Sequence, residues 1–135
     1  MTAYLLDTNI ASHIIRGDRP EITKRLVRIP MEDLAISVVT HGELIYGLAK
    51  RDHAPALSER VRQFLLRVDV LAWDRDVARV YGNFRSRCEA RVVTLAPLDM
   101  MIAAHAVATD RVLVTRDKAF GRADETLVVE DWSER

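Results

Sequence analysis

Four carboxylates stand where this chain leaves an apolar strand or enters a helix. Asp7 closes Tyr4-Leu5-Leu6, and Glu43 lies just past Leu34-Ala35-Ile36-Ser37. Asp99 opens an apolar helix, and Asp117 follows Val112-Leu113-Val114-Thr115. In a parallel α/β sheet the carboxyl ends of the strands line one crevice, where ligands bind. If those runs are neighbouring strands, the four residues converge on one acidic pocket. Crowded carboxylates repel, so such a pocket calls for a divalent cation or raised pKa values. The chemistry it suggests is metal-assisted.

Each carboxylate also has a local explanation. Asp7-Thr8-Asn9 can cap a helix; in the functional reading Asp7 is a metal ligand, and Thr8 and Asn9 orient it or a substrate phosphate. Thr40-x-x-Glu43 matches a capping box. If Ser37 is the cap instead, Glu43 falls on the second turn, Val38, Val39, Ile45 and Leu48 form the buried stripe, and Glu43 faces the strand ends. Asp99 lies two residues after Pro97, within a first turn whose dipole favours a carboxylate. Asp117 suits a turn. Four separate coincidences at strand ends are a poorer account than one shared cause.

The elements that must position these residues alternate between short apolar runs and helical periods, the pattern of a mostly parallel α/β sheet flanked by helices. The pattern places strands at 3–6, 34–37, 69–72, 111–115 and 126–129. Helices are expected at 9–16, 21–28, 38–50, 55–68, 75–90 and 97–109, with a short turn or helix near 118–121. Asp74 is a natural N-cap and Pro20 a first-turn residue. The stretch 38–68 reads as a helical hairpin beside the sheet. Val92-Val93-Thr94-Leu95 fits either loop or strand, and Trp132 is expected to pack over the sheet edge.

The 135 residues suit a single domain with a real core. No apolar run is long enough to span a bilayer and no signal pattern is present, so a cytoplasmic location is expected. The lone cysteine, Cys88, excludes an internal disulfide and a cysteine zinc site, and reads as a packing residue. With 20 basic and 20 acidic residues the net charge is zero, which argues against coating nucleic acid by bulk charge. A local rim of arginines, suited to bidentate phosphate contacts, remains open. His13, His41, His53 and His105 are scattered and lack zinc-protease spacing, and there is no nucleophile elbow, phosphate-binding glycine loop or dinucleotide fingerprint.

Taken together, the motifs resemble the PIN-domain ribonucleases, specifically the VapC-type toxins of toxin–antitoxin pairs. Tyr4-Leu5-Leu6-Asp7-Thr8-Asn9-Ile10 resembles the family's opening strand and first acidic residue. Ser37 to Gly47 is similar to the second motif around its glutamate, and Pro97 to Ala106 to the third. Leu113-Val114-Thr115-Arg116-Asp117 with Phe120, and Val129-Glu130-Asp131-Trp132, resemble the fourth motif and closing strand. The order and spacing cover nearly the whole chain. One departure is Arg91 to Ala96, where many relatives carry a glycine.

The resemblance implies a PIN-like domain in which Asp7 and Asp99 hold Mg²⁺ or Mn²⁺, Glu43 and Asp117 complete the acidic site, and Asn9 and Thr115 support it by hydrogen bonding. It also implies an RNA substrate, with transfer RNA favoured, a homodimer, and a VapB-like antitoxin whose tail occupies the active-site groove. Arg116 is the arginine best placed to steer phosphate. A phosphoryl-accepting receiver domain would need an acidic pair after the first strand and a mid-chain acceptor aspartate, which the chain supplies poorly. A catalytically silent interaction module would have lost acidic positions, and all four are present.

Overall fold

The structure, a computed structural model, describes residues 2–134. Strand β1 (Tyr4–Leu6) leads into α1 (Thr8–Arg16) and α2 (Pro20–Leu26). A 3₁₀ turn then precedes β2 (Leu34–Ser37), which continues directly into α3 (Val38–Lys50) and α4 (Pro55–Leu65). Next come β3 (Asp69–Leu71), α5 (Arg75–Ala90), α6 (Pro97–Ala108), β4 (Val112–Val114) and, after a second 3₁₀ turn, β5 (Val129–Glu130). The five strands form one parallel sheet in the order β3-β2-β1-β4-β5.

Strand periodicity assigns the two faces. Leu6, Leu34, Ile36 and Val114 point to the side covered by α1, α2 and the α3–α4 hairpin, among Ile10, Leu44, Leu48, Phe64 and the fully buried Trp132. Leu5, Ala35 and Leu113 point to the other side, against Phe84 and Cys88 of α5 and Ile102 to Ala104 of α6. The small pair Ala103 and Ala104 lets α6 lie close to the sheet. Leu6, Ile36 and Val114 are in register across the three central strands. Asp7, Ser37 and Thr115, one residue on, therefore form a row along the carboxyl edge. From β1 the chain passes to β2 on one side, whereas β4 lies on the other. The order thus reverses between β1 and β4, the crevice where doubly wound sheets bind ligands.

Most expected elements are present with ends shifted by a few residues, and three differences have physical causes. The closing strand is Val129–Glu130 rather than 126–129, because Asp124 holds a turn by accepting from the amides of Thr126 and Leu127. Residues 91–96 form no strand. Val93 N donates to Cys88 O at 2.9 Å and Val92 N to Glu89 O at 3.0 Å, closing α5 in a Schellman motif with Val92 left-handed at φ +57°. The stripe buried by α3 is Thr40, Leu44 and Leu48, while Val38 and Ile45 are exposed. Ser37 is the N-cap and accepts from Val39 N, as the expected stripe required, but the face turned inward is the i, i+4, i+8 row from Thr40, with Leu44 and Leu48 in the core beside α1 and α4.

Candidate active site

Asp7 does two jobs. It caps α1, its Oδ1 accepting from Ile10 N at 2.8 Å, and it sits on the floor of the crevice at 5% exposure. Burial pushes its carboxyl up from 3.8 to about 6. Hydrogen bonds from the Thr115 hydroxyl and the Ile10 amide act against that rise, and the charges of Asp99 and Asp117 add to it. Structural cap and functional carboxylate are therefore one residue.

Asp99 is the third residue of α6, half-buried, its acidity weakened by burial and then by Glu43 and Asp117. The four sequence-derived carboxylates lie within electrostatic reach along one edge: Asp7 feels Asp99 and Asp117, and Asp99 feels Glu43 and Asp117. Asp117 is the outermost. It is exposed, its Oδ1 accepts from Ala119 N at 2.9 Å, and its own amide donates to Thr115 Oγ1 at 3.1 Å. Its turn role and its place at the crevice coexist.

Glu43 makes no capping box. The Thr8 hydroxyl donates to Glu43 Oε1 at 2.6 Å, bridging α1 and α3. That uses the one proton of Thr8, so the 3.0 Å contact between the Thr8 and Thr40 hydroxyls has Thr40 as donor. Buried Thr40 thus braces Thr8, which holds Glu43. The Thr40-x-x-Glu43 spacing hinted at this pair, but the hydroxyl acts across helices instead of along one. Asn9 is exposed on α1 and, among the described residues, hydrogen-bonds to none of the four carboxylates.

Sequence reasoning gave no role to two histidines that are buried. His105 Nδ1 lies 2.8 Å from the Ser37 hydroxyl, tying α6 to the N-cap of α3. Burial lowers its pKa. His13 contacts Arg116, whose guanidinium is turned toward α1 and the C-terminal segment. Among the described residues the side chains of His41 and His53 make no such contacts. A groove of about 480 Å³ opens from Thr8 and Glu43 between α1, α3 and α4. Its floor includes Ile15, Leu44 and Val61, and its rim carries Arg16, Lys50, Arg51 and Arg60.

The donor set of the crevice is all oxygen, which suits hard cations. Among the described residues no three His, Cys, Asp or Glu side chains are clustered as a ready-made ligand group. Mg²⁺ fits that arrangement, because it commonly takes one or two carboxylates and completes its shell with water and phosphate oxygens. The repulsion that helps raise Asp7 is also what a cation would relieve. No helix of the described residues is long and apolar enough to cross a membrane.

Known proteins share this arrangement of sequence and fold. The PIN domain family profile matches residues 4–126. The tRNA(fMet)-specific endonuclease VapC of Shigella flexneri is 31% identical, the match spanning 98% of this chain and all of that one. Ribonuclease VapC2 of Rickettsia felis is 29% identical over 96% of this chain and 97% of its own. Among solved structures, DNA-bound VapBC from Salmonella typhimurium superposes with a TM-score of 0.87 at 30% identity, covering 98% of this chain and 99% of that one. VapBC2 from Rickettsia felis, bound to a promoter DNA fragment, gives 0.88 at 27% identity, covering 97% and 99%.

Proposed function

Because the chain belongs to the PIN-domain family, in its VapC branch, we propose that it is a divalent-metal-dependent endoribonuclease toxin. In this reading it hydrolyses phosphodiester bonds in structured cellular RNA, transfer RNA first among them, and a VapB-like antitoxin restrains it. The observation that carries the reading is Asp7: a buried carboxylate at the switch point, its pKa lifted to about 6 with Asp99 and Asp117 contributing.

Asp7 and Asp99 are the residues assigned to hold Mg²⁺ or Mn²⁺. When bound, such a cation neutralises the scissile phosphate and acidifies water. Glu43, held by the Thr8 hydroxyl, orients or deprotonates the attacking water, and Asp117 is the other residue suited to that step. Thr115, whose hydroxyl helps to hold the Asp7 carboxyl down against burial, is assigned to support it. The α1–α3–α4 groove, with apolar floor and basic rim, suits an amphipathic acidic segment of the antitoxin entering beside Glu43. Exposed Val38, Ile45 and Tyr46 on α3, with Leu98 on α6, offer apolar surface for the homodimer.

Purified protein with Mg²⁺ should cleave RNA, and EDTA, Asp7→Asn or Asp99→Asn should each abolish cleavage while leaving the fold intact. Full cleavage by the Asp7→Asn protein in EDTA would overturn the metal assignment. Sequencing RNA ends after brief induction reads activity and target together.

A further inference from the structure

Arg116 follows Thr115 and precedes Asp117, yet its guanidinium is already engaged. Nη1 lies 3.2 Å from His13 Nε2, and Nε donates to Ser133 Oγ at 3.2 Å. The Ser133 hydroxyl in turn donates to Asp131 Oδ1 at 2.6 Å. On its other side, the His13 ring places Nδ1 2.9 Å from Asp18 Oδ1 and 3.1 Å from Arg16 Nη2. His13 itself is buried, at 9% exposure.

These contacts choose the tautomer. A neutral imidazole has one N–H and one lone pair. With the proton on Nδ1, the ring donates to Asp18 and its Nε2 accepts from Arg116. Arg16 loses nothing, because its Nε donates to Asp18 Oδ2 at 2.9 Å. With the proton on Nε2, that N–H faces the Arg116 donors and the Nδ1 lone pair faces the Asp18 carboxylate. The first arrangement satisfies the contacts to Asp18 and Arg116, whereas the second satisfies only the one from Arg16 Nη2. The Arg16 and His13 hydrogen bonds hold Asp18 down at about 2, so it remains an acceptor throughout the neutral range.

We propose that His13, as the Nδ1–H tautomer oriented by Asp18, is a positioning residue that holds Arg116 Nη1 in the turn between Thr115 and Asp117, and that protonation of its Nε2 removes that hold and leaves the guanidinium its bond to Ser133. Protonation turns Nε2 from acceptor to donor, so the bond to Arg116 is lost while the bond to Asp18 remains. The charged groups facing His13 are Asp18 and Arg16 from the end of α1 and the turn after it, and Arg116 from the turn after β4. Asp131 reaches Arg116 from the C-terminal segment through Ser133. With both bonds in place Arg116 presents its charge in one orientation beside the pocket it lines with Asp117, and with the Nη1 bond lost that orientation is fixed by Ser133 alone. Its effect on phosphate steering rests on the RNA-cleavage reading; the hydrogen bond does not.

Nitrogen-15 NMR of the full-length chain tests both levels. The His13 ring should show a protonated Nδ1 and an unprotonated Nε2 at pH 8. The Arg116 Nη1–H signal should shift and broaden on acidification as the His13 ring gains its second proton. His13→Gln, whose amide oxygen can accept at the Nε2 position without titrating, should keep the Arg116 signal and lose its pH response. His13→Ala should lose the signal with the remaining spectrum unchanged. An Nε2–H tautomer, or an Arg116 signal indifferent to His13→Ala, would overturn the proposal whatever the activity. Where RNA is cleaved, His13→Gln should also remove one ionisation from the pH profile of kcat/KM; an unaltered profile would overturn the steering role alone.

Discussion

Replacing Asp7 by Asn should make the folded protein more stable. A carboxyl at 5% exposure whose pKa rises from 3.8 to about 6 is penalised in its ionised form. An acid raised in this way contributes most stability below its unfolded pKa and loses it as pH climbs through the folded value. The loss therefore develops between about pH 4 and pH 6 and levels off above, reaching about 3 kcal/mol for a carboxyl raised from 3.8 to about 6. Asn cannot ionise and caps a helix as well as Asp, so the bond from Ile10 N survives. Urea denaturation in EDTA, followed by the fluorescence of Trp73 and buried Trp132, reads the effect. The two proteins should be nearly equal at pH 4, and the variant should lead by up to about 3 kcal/mol at pH 7. A variant less stable than the parent at pH 7, or a difference that does not grow with pH, would refute the electrostatic account of the crevice.

Mg²⁺ should narrow that gap, since ten times its Kd stabilises a binding protein by about 1.4 kcal/mol; thermal melts of parent and Asp7→Asn with and without the ion should show a gain only in the parent. Thr8→Val removes the 2.6 Å bond to Glu43, and a lost bond to a charged group, about 1.5–3 kcal/mol, should lower kcat by about 10- to 100-fold with KM little changed. Val92→Gly should raise Tm by a few degrees: relief of about 1–2 kcal/mol of left-handed strain exceeds the entropy that Gly adds to the unfolded chain.

The sheet and its flanking helices could be read from patterning because β1, β2 and β4 are buried on both faces and announce themselves as short apolar runs. The acidic site could be read because strand ends converge in any parallel sheet. Pairings without a local pattern were hidden. Thr40 was visible only as a capping candidate, and its bond to Thr8 depends on how α1 and α3 cross. His13 and Arg116 lie about a hundred residues apart, and only the return of the chain through β4 joins them. The buried face of α3 is not legible because Val38 and Ile45 are apolar yet exposed and Thr40 is polar yet buried; hydrophobicity says what can be buried, not which face the neighbouring helices cover. The glycine-lacking segment 91–96 proved to be a helix terminus, in which Val92 tolerates a conformation that glycine would accept more readily.

The reversal of strand order between β1 and β4 divides the site along the chain as well as in space. Asp7 and Glu43 come with the first helices, whereas Asp99 and Asp117 arrive with α6 and the turn after β4. A nascent chain emerging from the ribosome therefore carries two carboxylates and no crevice until β4 inserts beside β1. For a protein proposed to cut the RNA of the translation machinery, synthesis must have passed β4 before the cutting site exists. Coexpressed fragments divided between α4 and α5 should each be harmless, and only their reassembly should restore the acidic crevice.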